Sequence, residues 1–189
     1  MKGFTKKHVI RTVCFFLFSL LLAAADQFVK YIITVSIQYQ TGRIEVIPGF
    51  FELVNWRNDG GMWGLFPGQV GPLAYIALVV SLIIIFTAIF LKHTLPQLSL
   101  FFIAAGALGN IIDRFRLHYV EDFLSFNFWG YHFPAFNIAD SCVVIGALLL
   151  IFYMVFIAKN DTVFFVEDTW PYNIVQKMKR KKQENDVEE

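Results

Sequence analysis

Residues 72–91 read Pro-Leu-Ala-Tyr-Ile-Ala-Leu-Val-Val-Ser-Leu-Ile-Ile-Ile-Phe-Thr-Ala-Ile-Phe-Leu, without a single charge. An α-helix rises about 1.5 Å per residue, so a stretch of about 20 apolar residues matches the hydrocarbon core of a bilayer. Three more stretches share this character. Ile138–Ala158 carries one charge, Asp140, and Val9–Ala25 carries Arg11 near its start. Leu98–Ile112 is the shortest and contains Ala104, Ala105, Gly106, Ala107 and Gly109. Small side chains let helix backbones approach closely, so this span belongs inside a bundle. Composition agrees, since 57% of the 189 residues are hydrophobic and only 16% are charged, against about a quarter charged in soluble domains. The sequence predicts an all-α membrane protein with four transmembrane helices.

The first span has a competing reading. Lys6, Lys7 and Arg11, an apolar run and then Ala23-Ala24-Ala25 imitate a cleavable signal peptide. The next residues are Asp26-Gln27-Phe28-Val29-Lys30, whose acid and base lie one helical turn apart and continue a helix. The span is therefore read as retained. Basic residues then set the orientation. Lys2, Lys6, Lys7 and Arg11 precede span one, Lys92 lies between spans two and three, and Lys159, Lys177, Lys179, Arg180, Lys181 and Lys182 follow span four. Both termini are expected in the cytoplasm, with loops 31–71 and 113–137 outside.

Residues 1–158 form the expected membrane domain. Ile44–Trp56 is rich in β-branched and aromatic residues around Pro48-Gly49, which predicts a small extracytoplasmic β-sheet, over about residues 38–66, beside a second outer loop. Trp56, Trp63, Trp129 and Tyr131 suit the headgroup zone. Residues 159–189 are expected as a cytoplasmic tail. Its apolar Val163-Phe164-Phe165, Trp170 and lysine-rich run predict an interfacial segment, and its polar end from Gln183 is expected to be disordered. The net charge of +1 gives no support to a nucleic-acid partner. Cys14 and Cys142 lie in apolar blocks, with no Cys or His nearby at metal spacing.

The informative residues are polar groups at the outer ends of the spans. Span one ends at Asp26, span three runs into Asn110-Ile111-Ile112-Asp113-Arg114, and span four opens with Asn137-Ile138-Ala139-Asp140; Asp122 lies between them. An ionisable side chain in a span is costly and marks a functional candidate. Each has a structural alternative. Asp26 can pair with Lys30, Asp113 can be held ionised and orienting by Arg114, Asn137 can cap span four, and Asp140 can complement the helix dipole. Two carboxylates that share a site offer distinct chemistry, because one stays protonated while the other ionises. The ionised one takes a proton from water, and the neutral one donates to a scissile carbonyl. Only the fold decides whether Asp122 and Asp140 meet.

No Gly-x-Ser-x-Gly or His-Glu-x-x-His is present, and His118 with Glu121 is a poor zinc signal, so neither a metal nor another cofactor is expected. A proton pathway would spread its acids through the membrane depth, whereas these gather on one side. The Gly-x-Gly-Asp signature of presenilin- or prepilin-peptidase-type intramembrane proteases is absent.

Five pieces, in order, resemble the lipoprotein signal peptidase (signal peptidase II) family: Asp26-Gln27-x-x-Lys30, Asn58-Asp59-Gly60-Gly61-Met62-Trp63-Gly64, Gly109-Asn110-Ile111-Ile112-Asp113-Arg114, Val120-Glu121-Asp122-Phe123 and Phe133-Pro134-Ala135-Phe136-Asn137-Ile138-Ala139-Asp140-Ser141. They cover about residues 10–158. The resemblance implies a membrane aspartyl endopeptidase of the bacterial inner membrane with a periplasm-facing site. Its members remove signal peptides from prolipoproteins by cleaving before a diacylglyceryl-modified cysteine, and globomycin-type cyclic peptides inhibit them. By motif match the catalytic residues are Asp122 and Asp140. Asp26, Lys30, Asn58, Gly60, Asn110, Asp113, Arg114 and Asn137 match supporting or substrate-binding positions. Met62 and Trp63 are bulkier than the family pattern, and the tail after Ala158 is long for it.

Overall fold

The computed structural model describes residues 3–60, 68–158 and 164–188; Gly61, Met62, Trp63, Gly64 and Val163 lie outside them. Helix α1 (Lys6–Ser36) starts where the Thr5 hydroxyl accepts from the His8 amide at 3.2 Å, an N-cap that satisfies one orphan donor. Helices α2 (Val70–Phe90), α3 (Thr94–Leu117) and α4 (Ile138–Phe152) follow, and α4 runs on through a π-helical turn, Tyr153–Ile157. Among the described residues these four segments are long and apolar enough to cross a membrane. Pro72 and Pro96 fall in the first turns of α2 and α3, where no intrahelical N–H is lost.

The small-residue stripe sits where expected. The most apolar window of α3 is 56% buried, against 17% for each of the other three spans. Helix α3 packs on α1, α2 and α4, while Leu82, Ile83 and Phe86 of α2 and Leu148 and Ile151 of α4 face outward, as lipid-facing side chains must. A Cβ on Gly146 would stand 2.6 Å from the Ser99 carbonyl oxygen, and one on Gly106 would collide with the Ala139 carbonyl. The α3–α4 crossing depends on hydrogen at both positions.

The sheet is larger than the sequence reading allowed. β1 (Arg43–Ile47) and β2 (Phe51–Asn58) come from the segment between α1 and α2, and β3 (Val120–Phe128) and β4 (Tyr131–Phe136) from the segment between α3 and α4. They form one antiparallel sheet in the order β1-β2-β3-β4. Asp122 therefore stands on a strand and not on a loop. The register shifts between Leu53 and Trp56, and the extra residue on β2 turns Asn55 inward, where its Nδ2 donates to the Ile37 carbonyl at 2.8 Å. That bond ties the sheet to the end of α1. The β3–β4 register shifts opposite Pro134-Ala135, as the missing proline donor requires. Phe126 stacks between Phe51 (4.6 Å) and Phe136 (5.7 Å), giving the sheet an aromatic face. The β3–β4 turn holds Trp129 fully exposed at φ 51°.

The opposite end of the bundle is closed by polar side chains. Arg11 donates to the Gln97 Oε1 (2.6 Å), the Thr94 hydroxyl (2.8 Å) and the carbonyls of Leu91 (3.3 Å) and Lys92 (3.0 Å). Fully buried Gln97 donates in turn to Thr12 and to the Ala88 carbonyl. Arg11 thus anchors the α2–α3 turn besides carrying charge. After α4 the chain returns to this turn, with Leu91 and Phe165 forming an antiparallel bridge. Helix α5 (Trp170–Glu188) then runs through residues expected to be irregular, a correction to the reading from Gln183 onward.

Gly146→Val is expected to destabilise the bundle by about 1–3 kcal/mol, as overpacking does, whereas Gly71→Ala, whose Cβ would meet nothing within 4 Å, should be neutral. Unfolding midpoints of both variants in a denaturing detergent series check this; equal midpoints would contradict the close crossing.

Candidate active site

A lysine buried between helices organises the site. Lys30 has no exposed surface. Its Nζ lies 2.7 Å from Asp26 Oδ2 and 2.8 Å from Asp113 Oδ2, and donates to Asn110 Oδ1 at 3.2 Å. A buried ammonium is tolerated only with partners of this quality. Asp26 also accepts the Ala139 amide at 2.9 Å, in the first turn of α4. Its Oδ2 would be 2.7 Å from a Cβ on Gly109, so the glycine makes the room. Asp113 accepts from Gln27 Nε2 (2.7 Å) and the Glu121 amide (3.2 Å). The cation that holds Asp113 is therefore Lys30 and not the adjacent Arg114; consecutive residues on a helix point apart.

Asn137 carries this frame to the acids. Its Oδ1 accepts the Asp140 amide at 2.8 Å, and Asp140 Oδ2 accepts the Asn137 amide at 3.2 Å, a reciprocal cap at the start of α4. Asn137 Nδ2 donates to Asp122 Oδ1 at 2.8 Å and lies 3.1 Å from Asn110 Oδ1. Asn110 Nδ2 donates to Asp140 Oδ1 at 2.7 Å. Asn58 Nδ2 donates to Asp122 Oδ2 at 3.1 Å, and its own Oδ1 accepts the Gly60 amide at 3.1 Å. One asparagine thus bonds both carboxylates, which approach from a strand and a helix.

Burial pushes the Asp122 carboxyl up to about 7, and the neighbouring Asp140 charge adds to the effect, against the Asn58 and Asn137 donors. Asp122 is 4% exposed, while Asp140 is half-buried. Burial also raises Glu121, which stays on the far side of β3 near Thr34 and Asp113. Arg114 is half-buried, donates to the Asn110 carbonyl at 3.4 Å and lies within electrostatic reach of Asp140, Asp122 and Asp113. One carboxylate on strand β3 and one in the first turn of α4, both held by amide groups, have the make-up that general acid–base chemistry calls for.

The structure brings Asp26, Lys30, Asn58, Asn110, Asp113, Asp122, Asn137 and Asp140 into one hydrogen-bonded network, with Gly60 and Arg114 at its edge. Sequence reasoning missed Gln27 and Gly109 as parts of it. Both residues stand in the motif pieces Asp26-Gln27-x-x-Lys30 and Gly109-Asn110, which was the available signal; Gln27 was given no role of its own and Gly109 only a packing one.

Lys30→Met leaves two buried carboxylates without their cation and is expected to lower stability by about 3–5 kcal/mol. Adding Asp113→Asn should recover part of that loss, because one orphaned charge disappears. Thermal unfolding of the purified variants in detergent reads both, and strict additivity would contradict the shared ion cluster.

Comparison with known proteins places the chain. The family model described as Signal peptidase (SPase) II matches residues 18–156. A lipoprotein signal peptidase of Enterococcus faecalis is 39% identical over 145 residues, covering 76% of this chain and 88% of that protein. One of Desulforapulum autotrophicum is 37% identical over 147 residues, covering 74% and 90%. A bacterial membrane enzyme structure determined by the in meso method at 2.3 Å resolution superposes with a TM-score of 0.69 at 32% identity, covering 85% of this chain and 94% of that one. On this likeness, carried through most of the length of both partners, the chain belongs to the signal peptidase II family.

Proposed function

We propose that this chain is an aspartic endopeptidase that removes signal peptides from prolipoproteins, cutting before a diacylglyceryl-modified cysteine, with Asp122 and Asp140 as its acid–base pair. The observation that carries the assignment is the single asparagine, Asn137, that bonds both carboxylates. Half-buried Asp140 is the ionised member and draws a proton from the attacking water. Buried Asp122 holds the shared proton and donates it to the scissile carbonyl oxygen, giving a gem-diol. As the C–N bond breaks, the proton taken by Asp140 passes to the departing cysteine nitrogen, and a gem-diol hydroxyl returns its proton to Asp122. No covalent enzyme intermediate is required.

Asp26, Lys30, Asn110 and Asp113 hold the acids in register, while Asn58, Gly60 and Arg114 line the approach. The basic residues at the far end of the bundle support both termini in the cytoplasm and a periplasm-facing site in the inner membrane. A lipid-anchored substrate would present its bond at the depth of the span ends, reached by diffusion within the leaflet. Membrane lipid is then part of the binding surface, and globomycin-type peptides are expected to inhibit by competing for the same site.

Asp122→Asn and Asp140→Asn keep size and lose acid–base function. Each is expected to insert normally yet lose cleavage of a diacylglyceryl-prolipoprotein by several orders of magnitude, and the double variant should be little worse, as for residues acting as a unit. Gel-resolved product formation by purified enzyme is the readout; near-native turnover by either single variant refutes the pair. For the wild type, activity should fall as pH rises through about 7, where Asp122 gives up its proton. Asn58→Ala removes a donor that favours the carboxylate, so the alkaline limb should move to higher pH; a shift to lower pH contradicts the assignment.

A further inference from the structure

The site uses nothing beyond α4, which leaves α5 without a role. Trp170, Ile174 and Met178 lie at i, i+4 and i+8, on one face of that helix, and they are 65%, 40% and 66% exposed. Lys177 and Lys181 stand three residues after Ile174 and Met178, directly beside this stripe, and both are exposed, as is Arg180. From Lys177 to Lys182 the sequence carries five positive charges and no negative one. An exposed apolar stripe edged by basic side chains matches a surface of acyl chains beneath anionic headgroups.

The position of α5 is fixed independently. Phe164 and Val166 hydrogen-bond the α2–α3 turn (Lys92 N to Phe164 O, 2.8 Å; Val166 N to Phe90 O, 2.9 Å), and Lys92 pairs with Glu167 at 3.8 Å. The Trp170 ring meets the outward-facing Phe86 ring edge-on, with centroids 6.5 Å apart. Phe86 lies four residues before the end of α2, about 6 Å along its axis at the usual rise. This sets Trp170 at the boundary between headgroups and acyl chains, where its ring is favoured, at the end of the bundle opposite the carboxylates.

We infer that α5 is a docking helix for the anionic phospholipid surface of the leaflet opposite the carboxylate site. Trp170, Ile174 and Met178 enter the acyl boundary, and Lys177, Arg180 and Lys181 bind headgroup phosphates.

The test is amide hydrogen exchange of the full chain in nanodiscs of phosphatidylcholine alone or mixed with phosphatidylglycerol. Amides over residues 170–181 should exchange more slowly with phosphatidylglycerol present, by about five-fold for each basic side chain that engages. The Lys177→Glu, Arg180→Glu, Lys181→Glu triple variant should lose this difference, and Trp170→Ser with Met178→Ser should weaken it, while amides of β3 are unchanged throughout. Equal exchange in the two nanodiscs overturns the inference. So does equal slowing by soluble polyglutamate with neutral nanodiscs, which would assign the face to a soluble acidic partner. Peptidase activity is not read, so failure of the peptidase assignment leaves this result interpretable.

Discussion

The Lys30 ammonium has no contact with solvent, and an unpaired charge at that depth would be far too costly to bury. Two carboxylates from different helices, Asp26 and Asp113, must reach it together with the Asn110 oxygen. That demand brings α1 and α3 to one distance and one rotation. Asp26 then uses its other oxygen to hold the Ala139 amide, which fixes the start of α4 against the same point. The glycine-dependent crossing of α3 and α4 and the absence of a Cβ at Gly109 let the backbones come close enough. The charge cluster sets the frame, and small residues make it sterically possible.

From that frame to the chemistry there is one step. The first turn of any helix has unsatisfied amides, and here Asn137 satisfies one of them while its own amide is met by Asp140. The cap needs only the side-chain oxygen, which leaves the Nδ2 group to reach Asp122. Helix capping and the positioning of two acids are thus the same set of bonds. The sheet supplies the other half: the bulge at Val54-Asn55 anchors β2 to α1, and β2 presents Asn58 to Asp122 on the neighbouring strand. Burial on this strand keeps the Asp122 proton near neutral pH.

The four spans were legible because lipid demands long apolar runs, and α4 begins at Ile138 as its run predicts. Helix α1 extends to Ser36, well past the apolar run that ends at Ala25, because Asp26 and Lys30 neutralise each other and cease to act as a stop. The segment between α3 and α4 hides two strands in Val120–Phe128 and Tyr131–Phe136, where aromatic runs lack clean alternation. Asp113 shows the limit most clearly. Proximity in sequence pointed to Arg114, but the partner is 83 positions away, on another helix. Arg11 read as a topological charge, although most of its hydrogen bonds close the α2–α3 end. That Asp122 and Asp140 share Asn137 follows from tertiary structure alone.

The central claim is that Asp122 carries the proton of the pair at neutral pH. Infrared difference spectroscopy of the full chain in detergent, titrated across neutrality, observes it directly through the C=O stretch of a protonated carboxyl. The account requires such a band below about pH 7 that disappears as pH rises through that value and is missing from Asp122→Asn. A wild-type protein with no such band at pH values below that range, or a band that persists unchanged in Asp122→Asn, would contradict it.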